Sequence, residues 1–320
     1  MKGPGWATRL VAVSLAGQAL AYALGVGLAR HLGVAGFESY VVASAVFILM
    51  VTLAPQGLEK YSLKLLPPLV ERRAADPLHG FLGFARRRVL LGSMVVAAVV
   101  GAWAWHAPGL AADTRLAVVL ACLSLPAGAQ VHLLLEVLTA SGRPLFAGLV
   151  FRVLVPATTL AIVGLGLLLP RQPGAQAWWA IAAWGVAWGL AFALMARQVR
   201  RDWPGQAATR DTAASRRWMR EARPFWIYRV SMGLLAQAAI VGLEWLQAPA
   251  SAVGAFAAAF ATAAVAQVLA TATNRVYAGR LSLLLERGDI GAIHRLRMQR
   301  LRWLVPPLLA YLALVLGFAP

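Results

Sequence analysis

The chain has a single cysteine, Cys122, set inside an apolar run, so it can form neither an internal disulfide nor a cysteine metal cluster. Acidic residues are scarce too: twelve Asp and Glu stand against thirty Lys and Arg, and charged residues make up only 13% of the 320. A soluble domain of this length would need far more polar surface. The common enzyme motifs are also missing. There is no P-loop, no His-Glu-x-x-His and no serine or cysteine nucleophile elbow. The five histidines (His31, His79, His106, His132 and His294) are scattered without the spacing of a metal site. "GVG" at 25–27 and "GLG" at 164–166 fall inside apolar runs, where small residues let helices pack closely. Neither a cofactor nor catalytic chemistry is expected.

What is abundant is apolar surface: 60% of residues are hydrophobic and the mean hydropathy is +0.69. These residues come in blocks of about twenty, the length a helix needs to cross the hydrocarbon core of a bilayer. The blocks are continuous rather than alternating, which argues against a β-barrel. The expected fold is therefore an all-α polytopic membrane protein. The first block is too long for a removable signal peptide and lacks a small-residue cleavage site. Nine spans are expected, at 10–29, 39–58, 89–107, 116–139, 146–169, 177–196, 225–247, 252–273 and 303–319.

Twenty-five of the thirty cations fall at the N-terminus and on alternate connections, in the stretches Lys60–Arg88, Arg143, Arg197–Arg223 and Arg275–Arg302. The opposite side has only Arg30, Arg115 and Arg171. The positive-inside rule then places the N-terminus and all the long loops in the cytoplasm. The net charge of +18 is mainly this orientation signal, and no nucleic-acid partner is expected from it. Twenty-seven arginines against three lysines, with abundant alanine, suggest a GC-rich bacterial genome. The basic stretch 197–224 divides the chain. Its second half, with Trp218 and Met219 among arginines, reads either as a short interfacial helix or as a solvated linker.

An internal repeat emerges at a shift of 216 positions. Tyr40, opening "YVVASAVFILMVTLAPQGLEKYSLKLLPPLVE", then lies over Phe256 in "FAAAFATAAVAQVLATATNRVYAGRLSLLLE". Tyr61 lies over Tyr277 and Lys64 over Arg280, while Glu71 and Glu286 agree within one residue. Both stretches continue through a basic loop into another span. Six helices per repeat would preserve orientation, so the repeats are expected to be parallel.

With the turn "ARHLGVAGFESY" after the first span, "SAVGAFAAAFATA" and "LLERGDIGAIHRLRMQRLRW", the chain resembles the polysaccharide-export flippases. These belong to the multidrug/oligosaccharidyl-lipid/polysaccharide exporter superfamily, which includes the O-antigen flippases. The resemblance spans essentially the whole chain. Arg30, Leu32, Gly33, Gly36, Phe37 and Tyr40 match the family turn, while Glu38 and Ser39 stand where glycine is common. Physically, Gly33 and Gly36 permit the angles of a tight reversal, Arg30 can cap the first helix, and Phe37 and Tyr40 suit the headgroup boundary.

The resemblance implies two six-helix lobes in parallel repeat: an N-terminal lobe at 1–196, a basic linker at 197–224, and a partial C-terminal lobe at 225–320. Two full repeats would need a longer chain, so a truncated sequence is expected. The resemblance also implies a flippase in the bacterial cytoplasmic membrane, carrying a polyprenyl-pyrophosphate-linked oligosaccharide for polysaccharide synthesis. Its implied partners are that lipid, the bilayer, and a polysaccharide polymerase with glycosyltransferases.

Charge at membrane depth marks the candidate site. Arg152, Arg229, Lys60, Lys64 and Glu136 lie near cytoplasmic helix ends, where arginines either snorkel to the interface or grip a pyrophosphate bidentately. Gln18, Gln56 and Gln237, with Tyr22, Gln130, Gln267 and Asn274, could line a polar cavity for sugar hydroxyls, though each alone could equally make an interhelical hydrogen bond. Glu244 falls near the outer end of the seventh span. Two rival readings are a cation-coupled multidrug exporter of the same fold and a membrane-embedded glycosyltransferase or ligase. The first needs buried carboxylates, and only Glu136 and Glu244 lie within the expected spans. The second usually needs a large outer loop, and none is present.

Overall fold

A computed structural model describes residues 5–167, 177–205, 212–245, 277 and 280–318. The protein is all-helical, at 92% helix, with no strand among the described residues. The helices are α1 (Gly5–Leu53), α2 (Leu58–Glu71), α3 (Ala75–His106), α4 (Ala112–Ala140) and α5 (Pro144–Leu149). A π-helical turn, Val150–Leu154, then leads into α6 (Val155–Leu167), and α7 (Ala177–Asp202), α8 (Thr212–Trp245) and α9 (Ile290–Phe318) follow.

Among the described residues, six helical stretches are long and apolar enough to cross a membrane. These are Arg9–Gly33, Ala75–His106, Ala112–Ala140, Pro144–Gly166, Ala177–Asp202 and Ile290–Gly317. A seventh arises if Ser39–Leu53 and α2, bent by 46° at a break, count as one broken span. This pattern is consistent with a membrane protein. The expected seventh span coincides with the second half of α8, which is not among the six. The expected eighth, 252–273, lies outside the described residues.

Several boundaries differ from expectation for identifiable reasons. The expected span 39–58 ends early because Gln56 (φ 54°) and Gly57 (φ 79°) are consecutive left-handed residues that break the helix after Leu53. The first reversal needs one glycine rather than two. Gly33 (φ 68°, ψ −175°) is the non-helical residue inside α1, whereas Gly36 has no positive φ. α3 begins at Ala75, not 89, because the arginines at 86–88 continue its helix beyond the apolar block. The stretch 197–224 is mostly helical too: α7 runs to Asp202, and α8 starts at Thr212 and carries Pro224 within it.

The core centres on α4, which packs against α1, α2, α3, α5 and α7. Leu125, Val131, Leu133, Leu134, Leu135 and Leu138 are fully buried there, so the second half of α4 is enclosed by its neighbours, as in a central bundle helix. An aromatic layer of Phe47, Trp184, Trp188, Phe151 and His132 ties it to its neighbours, with Phe47 and Trp184 ring centroids 4.5 Å apart. Trp218 packs edge-on against Phe81 at 5.5 Å and also against Phe84 on α3. It therefore joins α8 to the bundle.

Candidate functional site

The site is built around the break before α2. Pro55-Gln56-Gly57 turns the chain, and the next turn presents Glu59, Lys60 and Tyr61 in three directions, as helical steps of about 100° require. Gly57 is required twice over. Its φ suits glycine, and a Cβ there would lie 2.5 Å from the backbone of both Ala222 and Trp226. α8 thus approaches the break at backbone distance, and Trp226 Nε1 adds a hydrogen bond to the Leu53 carbonyl at 3.2 Å.

Three helices converge there. Lys60 Nζ donates to Glu136 Oε1 of α4 at 2.5 Å. Arg229 Nε of α8 lies 3.4 Å from Glu59 Oε1. Arg229 is therefore the cation that faces this buried acid across the α2–α8 contact. Both pairs share one asymmetry. The Glu136 and Glu59 side chains are 3% and 2% exposed, while those of Lys60 and Arg229 are 25% and 28% exposed. The acids are interior and the cations lie on the accessible side. Glu59 and Lys60 are consecutive on α2, so the two pairs lie side by side at the start of that helix.

A more exposed layer adjoins it. Glu221 of α8 accepts from Tyr61 Oη at 3.1 Å and from Arg217 Nε at 2.8 Å, and Lys64 Nζ lies 3.5 Å away. The Arg217 hydrogen bond holds the Glu221 carboxyl below its ordinary value, helped by Tyr61 and Lys64 and opposed by burial. Gln56 accepts from Arg88 Nε at 3.0 Å, and Gln130 Nε2 donates to the Arg86 carbonyl at 2.6 Å. Both amides therefore hold α3 in place.

The structure brings Lys60, Lys64, Glu136, Arg229 and Gln56 together around α2. Arg152 lies on the π-helical turn, whose backbone packs against α1. There a Cβ on Gly17 would lie 2.3 Å from the Arg152 carbonyl oxygen, so the two backbones are in contact. Gln18 is exposed on α1. The side chains of Gln237 and Glu244 on α8, and residues Gln267 and Asn274, lie outside the described ones. Glu59 is the residue sequence reasoning missed. It falls just past the expected end of a span, among loop residues that ordinarily face water. The Pro-Gln-Gly turn before it was the available sign that a new helix starts at Leu58. No group of His, Cys, Asp and Glu suited to a metal ion occurs among the described residues.

No family model, curated protein or solved structure matches the chain.

Proposed function

We propose that this protein is a membrane flippase that moves a polyprenyl-pyrophosphate-linked oligosaccharide across the bacterial cytoplasmic membrane. Two six-helix lobes would rock about the substrate while the lipid tail stays in the bilayer. The observation supporting this reading is the asymmetry of the two ion pairs, with carboxylates buried and Lys60 and Arg229 partly accessible. An anion arriving from the accessible side meets the cations first. Lys64, 60% exposed, extends the same face. A pyrophosphate would exchange the carboxylate partners of Lys60 and Arg229 for its own oxygens, and arginine can grip it bidentately. Release restores the internal pairs, so the site binds without a covalent step.

The decisive experiment measures lipid-linked oligosaccharide in the inner leaflet beside membrane abundance. Arg229→Ala with Glu59→Gln removes the cation without stranding a buried charge. It is expected to abolish export at near-normal abundance. Arg229→Lys is expected to rescue only in part, because lysine keeps the charge and loses the fork. Loss of one charge-assisted contact costs about 1.5–3 kcal/mol, roughly ten- to a hundred-fold in affinity. Normal export from the double variant would refute the reading. A second reading, a cation-coupled multidrug exporter, is favoured by one observation: Glu59 and Glu136 are both buried carboxylates, the type of group that binds and releases a coupling cation. Drug extrusion that depends on Glu59, with glycan export unaffected by it, would select that reading.

A further inference from the structure

The dipeptide Glu-Arg occurs at 71–72 and again at 286–287, and each copy ends a helix. The backbone closes both helices in the same way. After α2, Arg73 N donates to the Val70 carbonyl and Ala74 N to the Leu69 carbonyl, with Arg73 left-handed at φ 54°. After the helical stretch 280–287, Gly288 N donates to the Leu285 carbonyl and Asp289 N to the Leu284 carbonyl, with Gly288 left-handed at φ 68°. Each pattern is a Schellman-type ending, and each is followed at once by a long helix, α3 or α9.

The side chains then pair across. Arg287 donates to Glu71, and Arg72 donates to Glu286. In both pairs the Glu of one copy meets the Arg of the other. When residue i of one unit contacts j of the second, and j of the first contacts i of the second, the contact is isologous and implies a local two-fold axis. Two unrelated surface loops would have no reason to pair reciprocally. Glycine at 288 and arginine at 73 adopt the same backbone, so the correspondence lies in geometry and not merely in residue identity.

We infer that these two helix ends form a reciprocal ion-pair clasp between the N-terminal and C-terminal parts of the chain, closing the arginine-rich end of the molecule. All four side chains are exposed or partly exposed, so each pair biases the closed state by no more than about fivefold. Such a contact opens readily, as a gate must, and salt weakens it further. The clasp itself does not depend on the transport reading. Its role as the cytoplasmic gate of a carrier rests on that reading.

The test is the charge exchange that the symmetry permits. Spin labels on Ala75→Cys and Ile290→Cys, in a Cys122→Ala background in proteoliposomes without substrate, report the separation of the two ends. Glu71→Arg with Arg72→Glu sets like charges against each other on both sides and is expected to lengthen or broaden the distance distribution. Adding Glu286→Arg with Arg287→Glu restores complementarity and is expected to return the distribution toward the parent. Independently, Glu71→Cys with Arg287→Cys is expected to crosslink with a short bifunctional thiol reagent, well above either single cysteine. A half-exchanged protein indistinguishable from the parent, a full exchange no closer to it than the half, or no crosslink would each overturn the clasp. If the clasp behaves as expected and glycan export is unaffected by crosslinking, the gating role fails while the clasp stands, and the flippase reading is decided separately by export from the Arg229→Ala, Glu59→Gln variant.

Discussion

Replacing Lys60 by methionine removes the cation 2.5 Å from Glu136 and leaves that carboxylate inside the bundle. Breaking a buried ion pair from one side costs about 3–5 kcal/mol. The Lys60 side chain is 25% exposed, so water can partly reach the vacated space, and the expected loss is at the low end, about 3 kcal/mol. Glu136→Gln is milder, because Lys60 can turn to solvent and the amide still accepts a hydrogen bond; about 1 kcal/mol is expected. The double variant removes both members of the pair and is expected to lose about 2 kcal/mol rather than the sum of the two, a coupling of about 2 kcal/mol. Reversible denaturation in mixed micelles, followed by tryptophan fluorescence, supplies the three values. Additivity within about 0.5 kcal/mol would show that the two groups do not depend on each other, and the argument for a Lys60–Glu136 ion pair would fail.

Gly57→Ala is expected to destabilise the protein by more than the 1–2 kcal/mol of left-handed strain alone, because its Cβ meets the backbone of Ala222 and Trp226; a melting temperature within a degree of the parent would count against the close approach of α8. Since Arg217 holds the Glu221 carboxyl below its unfolded value, that group stabilises the fold above the ordinary carboxylate range and the contribution disappears as pH falls through the lowered value. Glu221→Gln is therefore expected to flatten the acid limb of a stability–pH curve, and an unchanged limb would refute this assignment. Single cysteines at Arg73, Gly205 and Gly288 in a Cys122→Ala background are expected to be shielded from an impermeant thiol reagent in intact cells, and one at Gln172 to react; outside labelling at Gly205 would reverse the orientation.

The helices were legible because a block of about twenty apolar residues has few alternatives in a chain this poor in charge. Hydropathy locates the apolar part of a helix and not its ends. α3 continues through three arginines, and α2, which begins Leu-Glu-Lys-Tyr, hardly resembles a span at all. Of the site, Lys60, Lys64, Glu136 and Arg229 could be read from charge near helix ends, since such charges must find partners. Their pairing could not. Whether Lys60 faces Glu136 depends on how α2 is rotated after the break, and a hydropathy profile carries no rotation. Glu59 was invisible for the same reason. The two Glu-Arg dipeptides are plain in the sequence, yet the reciprocity of their pairing needed coordinates.

α2 has fourteen residues, a rod about 21 Å long at 1.5 Å per residue. Glu59 is at its buried end and Glu71 at its exposed end, about 18 Å apart along the axis. Across that span, ions in physiological salt screen one charge from the other, the Debye length being about 8 Å. Whatever passes between the two ends must travel as motion of the helix itself, through Pro67 and Pro68 near its exposed end. Tilting α2 by a few degrees about its broken N-terminal joint shifts Glu71 by an ångström or more while barely moving Glu59. The same joint leaves the preceding helix undisturbed. Raising ionic strength would then silence the far end and leave the near end intact, so the rod can be disconnected at one end alone.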